Sequence, residues 1–411
     1  MKNKELSLKQ NMIYNSVGKL FYLFFQWLTT IIIVWFSGYS DAGVLALAIS
    51  VTSTLYSISN YGMRSYQSSD MSNKFSYTDY FNSRIITCVL SFIICILFVV
   101  FTSYSMYIKL CIVLYMIFKI TDAVVDVLHG EEQKIWRMDI IGKSFLLRGF
   151  LMILSYGITL FYTKNLVYSL LVMDIFLTLS VIIYDFKQFK NLFGKFGSYC
   201  SSNVRKLLII CLPLAIYTLC SNAVMFFPKY FLEKTYGTEI LGIYSSIASP
   251  LCIIQVSAAF IFDPLITLFA EYYRDGDLKS FFKLFWKVCL IILLIFVIGL
   301  ICIKLFGNIA LKILFGQDIL DYSYLLYQIL ITTILTALVW FISVIVTVIR
   351  KLKLIVCVSI VSILLNAVLS CFIVPKYSLT GVTIVLVITL IFQILAEFVP
   401  CCISLKKKEV R

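Results

Sequence analysis

Twelve apolar segments, each near the roughly 20 residues that a helix needs to cross a bilayer core, run the length of this chain and leave room for little else. They cover about 12–36, 43–63, 84–103, 107–128, 140–162 and 165–184 in the first half. In the second half they cover about 206–227, 241–262, 284–304, 323–348, 354–374 and 381–403. Within hydrocarbon every backbone N–H and C=O must be satisfied inside its own segment, which selects helices as the spanning element. Barrel strands would be half as long and would alternate in polarity. The expected fold is an all-α integral membrane protein of about twelve transmembrane helices. Composition agrees: only 14% of residues are charged, against about 25% in an ordinary soluble domain.

The basic residues order these helices. Twenty-six of the thirty-five Lys and Arg residues fall on alternate connections, with the two termini on the same side. By the positive-inside rule both termini are expected in the cytoplasm. The net charge of +14 then reflects attraction to anionic lipid of the inner leaflet, and no nucleic acid is expected as a partner. Six spans precede the 186–205 connection and six follow it. Residues 1–185 and 206–411 are thus expected to form two six-helix lobes joined by a cytoplasmic linker, a parallel-repeat plan known among transporters. The first apolar segment is too long for a signal-peptide core and reads as the first span.

The connections are short, so no extracellular catalytic loop or soluble domain is expected. There is no Asp-rich metal motif, no nucleophile motif and no phosphate-cradling G-x-x-x-x-G-K-S/T loop. The thirteen cysteines are scattered and form no C-x-x-C, so neither disulfides nor a metal are expected. Cys401–Cys402 beside Lys406–Lys408 reads either as plain packing or as an acylation site. The lone histidine, His129, is expected as a solvated side chain where a helix leaves the membrane, with a pH-sensing or proton-relay role as the alternative. No catalytic residue and no cofactor follow from these residues; movement, rather than chemistry, is the expected activity.

Polar stripes suggest what moves. Span 1 carries Asn15, Lys19, Tyr22, Gln26 and Thr30 on one helical face. Span 2 repeats the pattern with Ser50, Ser53, Ser57, Asn60 and Arg64, and span 4 carries Lys119, Asp122, Asp126 and His129. A charge at mid-bilayer costs about 2.5–3.5 kcal/mol on insertion scales, so such residues are expected to face a bundle interior or a wet cavity. Lys119 and Asp122 either neutralise each other one turn apart or meet a ligand. Lys19 has no acid within one turn, which makes it the leading candidate. Asp174 in span 6 and Asp263 in span 8 are weaker ones. All six prolines lie in the second half, and Pro213 and Pro250, within spans 7 and 8, are candidate hinges.

The run Gly62-Met63-Arg64-Ser65-Tyr66-Gln67-Ser68-Ser69-Asp70, with Tyr77-Thr78-Asp79-Tyr80 and Arg84, resembles the span 2–3 loop of Wzx-type polysaccharide repeat-unit flippases. Lys119-x-x-Asp122, Asp126, Gly130, Gln133, Arg137-Met138-Asp139, Ser144 and Arg148 resemble the same family around spans 4 and 5. Phe262-Asp263-Pro264 through Asp277, Leu314-Phe315-Gly316 with Asp318, and Val374-Pro375-Lys376-Tyr377 with Gly381 resemble the wider MATE-like (MOP) exporter superfamily. The 378–383 stretch departs from the family, which often has small residues there. This resemblance implies a fold of two lobes and alternating access in the multi-pass membrane of a bacterial cell. It implies an undecaprenyl-pyrophosphate-linked oligosaccharide as cargo for capsule or O-antigen assembly. Membrane lipids, a polysaccharide polymerase and other assembly proteins are the partners it implies.

On this basis Lys19 and Lys119, with Arg64 or Arg148, are expected to engage the pyrophosphate, and Asn15, Gln26, Ser53, Ser57 and Asn60 the sugar. Asp122, Asp126 and Asp174 are the candidates for ion coupling. Two alternatives stand beside the flippase. A MATE-type cation-coupled exporter would want a net acidic cavity, and a polytopic polymerase would want a long outward loop.

Overall fold

A computed structural model describes residues 7–70, 74–194, 197, 200–251, 265 and 268–409 of the chain. Among these residues there is no strand, and eight helices are long and apolar enough to cross a membrane. Two of the eight are double spans. Helix α1 (Leu8–Asn60) runs through spans 1 and 2 and bends at Gly38, whose φ of 82° and ψ of −176° leave the helical region. That conformation is essentially confined to glycine. The last helix, α12 (Leu352–Glu409), does the same at Ser378, with φ 51° and ψ −129°. The expected outward loops at 37–42 and 375–380 are therefore single-residue turns. Helix α4 also has too many charges to count among the eight, yet it covers the whole of span 4.

The backbone contacts divide the chain into two compact units, Met1–Asn222 and Ala223–Arg411, with the boundary inside α8 (Ser201–Tyr236). The first unit holds α1, a short α2 (Met63–Ser69), α3 (Tyr77–Phe101), α4 (Met106–Lys134), α5 (Met138–Thr163) and α6 (Leu166–Ser180). A π turn, Val181–Asp185, follows α6 and leads into α7 (Phe186–Phe193). The termini are set by local chemistry. Ser7 and Ser76 form capping boxes with Gln10 and Asp79, and Asn165 caps α6. Such caps satisfy the N–H groups that a helix start leaves unpaired.

Helices α1 and α5 approach closely because glycines line their contact. A Cβ on Gly18 would lie 2.6 Å from Gly142 Cα, and one on Gly142 would lie 2.3 Å from Tyr14 O. Gly149 leaves the same kind of space for the Phe25 ring. Small residues at such seams let helix backbones pack where lipid gives no hydrophobic drive for association. This contact fixes the face of α1 that carries Lys19, Tyr22 and Gln26.

The second unit holds the rest of α8, α9 (Thr238–Ala248) with a 3₁₀ turn at Ser249–Leu251, α10 (Leu278–Phe315), α11 (Leu325–Val348) and α12. Phe285 stacks on Phe341 and Phe398, with ring centroids 5.3 and 5.5 Å apart. Gly381 lets the two arms of α12 close on each other: a Cβ there would lie 2.9 Å from Ile373 O. Pro213 lies inside α8, whereas Pro250 sits in the 3₁₀ turn just past α9. The inner part of span 8, with Asp263 and the Phe262-Asp263-Pro264 motif, lies outside the described residues.

Candidate functional site

The polar faces of α1 and α4 meet inside the first unit, and two arginine–carboxylate knots lie there. In the first, Asp122 Oδ1 accepts from the Tyr22 hydroxyl at 2.7 Å and forms an ion pair with Arg148. The Arg148 guanidinium also lies 5.2 Å from the centre of the Tyr22 ring. Asp122 therefore pairs across to α5 rather than with Lys119 one turn away, which corrects the self-neutralising alternative. In the second knot Asp126 takes two arginines, Arg64 at 3.0 Å and Arg84 at 3.1 Å. Arg84 is fully buried and also donates to Ser59 O at 2.7 Å and to Asn60 Oδ1 at 2.9 Å. Arg64 spends its remaining donors on Gln133 Oε1 at 2.9 and 3.2 Å.

The loop motif between spans 2 and 3 is consumed in the same lattice. Gln67 donates to Val127 O and to Glu131 Oε1, each at 3.0 Å. It can do so because residue 130 is glycine: a Cβ there would lie 2.1 Å from Gln67 Oε1. Asp70 accepts from the Lys74 and Phe75 N–H groups and from the Tyr80 hydroxyl at 3.1 Å. Asp79 closes the α3 cap and Arg137 pairs with Asp139 at 2.9 Å. Arg64, Gln67, Arg84, Asp122, Asp126, Gln133 and Arg148, which carry part of the resemblance, are thus held by protein partners within the first unit.

The two lysines do not take part. Lys119 Nζ lies over three rings, 5.3 Å from the centre of Phe118 and 5.6 Å from those of Tyr56 and Tyr115. Among the described residues no carboxylate lies within ion-pair distance of it or of Lys19. Lys19 is exposed, on the same side of α1 as Gln26 two turns on. Gln26 donates to the Tyr115 hydroxyl at 3.5 Å, so Tyr115 adjoins both the α1 stripe and Lys119. Asn15 and Ser53 are half-buried with Gln26. Ser57 is buried, accepting from Asn222 Nδ2 at 2.7 Å and donating to Thr218 O at 3.2 Å.

Of the three ion-coupling candidates, Asp122 and Asp126 are held by arginines. Asp174 is buried, and neither of its oxygens has a hydrogen-bond partner. His129 is a correction. It is 1% exposed, with Nε2 3.4 Å from Asp185 Oδ1, because α4 continues past residue 128 to Lys134. Sequence reasoning also missed Arg84 as a buried hub, since it reads as one more basic loop residue at the start of span 3. In the second unit it missed Glu397, fully buried and accepting from Ser343 at 2.8 Å and Gln393 at 3.2 Å. Ser343 lies with Thr332, Thr336 and Thr347 on one helical face of the 323–348 segment, and that spacing was a signal for it.

No family model matches the chain. It is 22% identical over 383 residues to the capsular polysaccharide biosynthesis protein CapF of Staphylococcus aureus, covering 92% of this chain and 96% of that protein. An outward-facing multidrug resistance MATE family transporter of the MOP superfamily superposes with a TM-score of 0.63 at 14% identity, covering 98% of this chain and 97% of the other. A MOP superfamily transporter from Pyrococcus furiosus, described as having a binding pocket whose reverse polarity suggests a different function, superposes with a TM-score of 0.60 at 14% identity over 98% and 97% of the two chains. The chain is a multi-pass helical membrane protein with the fold of the MATE transporters of the MOP superfamily.

Proposed function

We propose that this transporter is a flippase that carries polyprenyl-pyrophosphate-linked oligosaccharide units across a bacterial cell membrane, from the inner to the outer leaflet. The observation that carries this reading is the pair of lysines, Lys19 and Lys119, that no carboxylate among the described residues of the first unit engages. A pyrophosphate and a hydroxyl-rich sugar are both poorly solvated by hydrocarbon. Ammonium groups beside Asn15, Gln26 and Ser53 replace that hydration, while the lipid tail stays in the bilayer. The capsule-biosynthesis name of the S. aureus relative supports the same cargo class. Arg64, Arg148, Asn60 and Ser57, already bound to protein partners, hold the walls of the site in this reading. Alternating access with both termini in the cytoplasm completes it.

A MATE-type exporter of cations shares the fold, but Asp122 and Asp126, which would attract a cation, are held by arginines. Asp174 is the coupling group we favour, because its carboxyl has no hydrogen-bond partner. A membrane potential supplies about 2.3 kcal/mol per charge per 100 mV to such a group. The test is deletion of the gene followed by analysis of lipid-linked oligosaccharides. A complete repeat unit trapped on the inner leaflet is the expected result. Undiminished surface polymer in a strain without a second flippase refutes the proposal.

A further inference from the structure

At the end of the first unit where Arg64, Lys134 and Arg137 gather, three more titratable side chains are buried together. His129 and Glu132 come from the last turns of α4, and Asp185 closes the π turn after α6. Their exposures are 1%, 0% and 1%. His129 Nε2 and Asp185 Oδ1 are 3.4 Å apart, and the imidazole packs edge-on against Phe145 at 5.2 Å. Neither oxygen of Glu132 has a hydrogen-bond partner. Single π turns inside helices occur often at functional sites, and this one carries the acid that meets the histidine.

The charged groups around the cluster leave Glu132 without a counter-ion. From α2 it faces Arg64, from α5 and its cap Arg137 and Asp139, and from the π turn Tyr184 beside Asp185, while Arg148 of α5 faces His129. On α4 itself lie Glu131 and Lys134. Each cation is already committed: Arg64 to Asp126 at 3.0 Å, Arg137 to Asp139 at 2.9 Å, Lys134 to Glu131 at 3.4 Å, and Arg148 to Asp122. The other two acids nearby, Asp185 and Asp139, are like charges. A buried ionised carboxylate with no hydrogen-bond partner, beside cations already paired with other acids, is far costlier than a carboxylic acid in the same place.

We propose that His129, Glu132 and Asp185 form a proton-binding site at the basic end of the first unit, separate from Asp122, Asp126 and Asp174. Glu132 carries its own proton. The imidazole of His129 and the carboxylate of Asp185 share a second, and they pass the Glu132 proton to and from water at that end of the helices. The site is built from this unit alone and does not depend on which cargo the protein moves.

Infrared difference spectroscopy of the full-length protein in lipid nanodiscs reads the site directly. Near neutral pH the unmodified protein is expected to show a protonated-carboxyl band that Glu132→Gln removes and Asp174→Asn leaves in place. His129→Gln is expected to shift the pH at which that band disappears. A Glu132→Gln spectrum with every such band intact overturns the proposal. Should Glu132→Gln fail to fold, glutamate labelled with carbon-13 in a Glu397→Gln chain keeps the question open to measurement. A labelled protonated band whose pH of disappearance shifts in His129→Gln supports the site, and a labelled band that does not shift, or no band, sinks it. An unmodified protein that shows the band yet moves no lipid-linked oligosaccharide counts against the flippase reading and leaves the proton site standing.

Discussion

At the scale of single residues, charge partnership separates the arginines of the polar faces from the lysines. Of the basic side chains on the polar faces, Arg64, Arg84 and Arg148 are bound to carboxylates, and among the described residues Lys19 and Lys119 are not. Arginine suits the first role because its planar fork meets several acceptors at once, and lysine suits the second as a point charge on a flexible stem. Replacing Lys119 with Gln is expected to lower transport of lipid-linked oligosaccharide roughly 10–100-fold, the worth of a charge-assisted hydrogen bond of about 1.5–3 kcal/mol. The protein's melting temperature should stay close to that of the unmodified chain. Arg84→Met should do the opposite. It leaves Asp126 with one arginine fewer and is expected to cost about 3–5 kcal/mol of stability, read as a lowered melting temperature in detergent. The sequence shows that these residues lie on polar stripes but not who pairs with whom. Lys119 and Asp122 are one turn apart on α4, yet the partner of Asp122 comes from α5, twenty-six positions along the chain.

At the scale of helices, the spans are legible because hydrocarbon thickness and backbone hydrogen bonding leave so few choices. Their junctions are less so. Gly38 announces its turn, since a residue without a Cβ can take up that backbone, whereas Ser378 gives no such notice. The positive φ of Ser378 is disfavoured for any residue with a Cβ. Ser378→Gly is therefore expected to raise stability by about 1 kcal/mol despite its entropy cost, while Gly38→Val should lower it, both measured by thermal melting. The α1–α5 seam is stricter. A Gly142→Leu side chain has to enter space held by the Tyr14 carbonyl, and the expected outcome is loss of folded, monodisperse protein on size-exclusion chromatography. Glycines at 18, 142 and 149 hint at such a seam, but only the pairing of helices shows that they face one another.

At the scale of the whole molecule, the alternation of basic connections predicts orientation. In a chain otherwise free of cysteine, Cys200 should resist a membrane-impermeant thiol reagent applied to intact cells, and a cysteine placed at Gly316 should react. The reverse pattern would invert the topology and, with it, the leaflet from which cargo is taken. The fold was readable from segment length and charge because both are consequences of the solvent. The lattice around Arg64, Gln67 and Arg84 was not, because it is assembled from α1 to α5 and depends on depth as well as on sequence spacing. Motif residues that resemble a flippase signature turn out to bind each other, so their presence marks how one end of the first unit is held together.

The seat of Lys119 on Phe118, Tyr56 and Tyr115 has a further consequence. Ring faces hold an ammonium by about 0.5–2 kcal/mol. In the proposed flippase that is enough to give it a resting place in an empty carrier, yet little to surrender when a phosphoryl oxygen arrives. A carboxylate in the same position would have to be torn away at every turnover. On that proposal, aromatic upholstery in place of an acid would let the vacant carrier reset quickly and let cargo go as readily as it is taken.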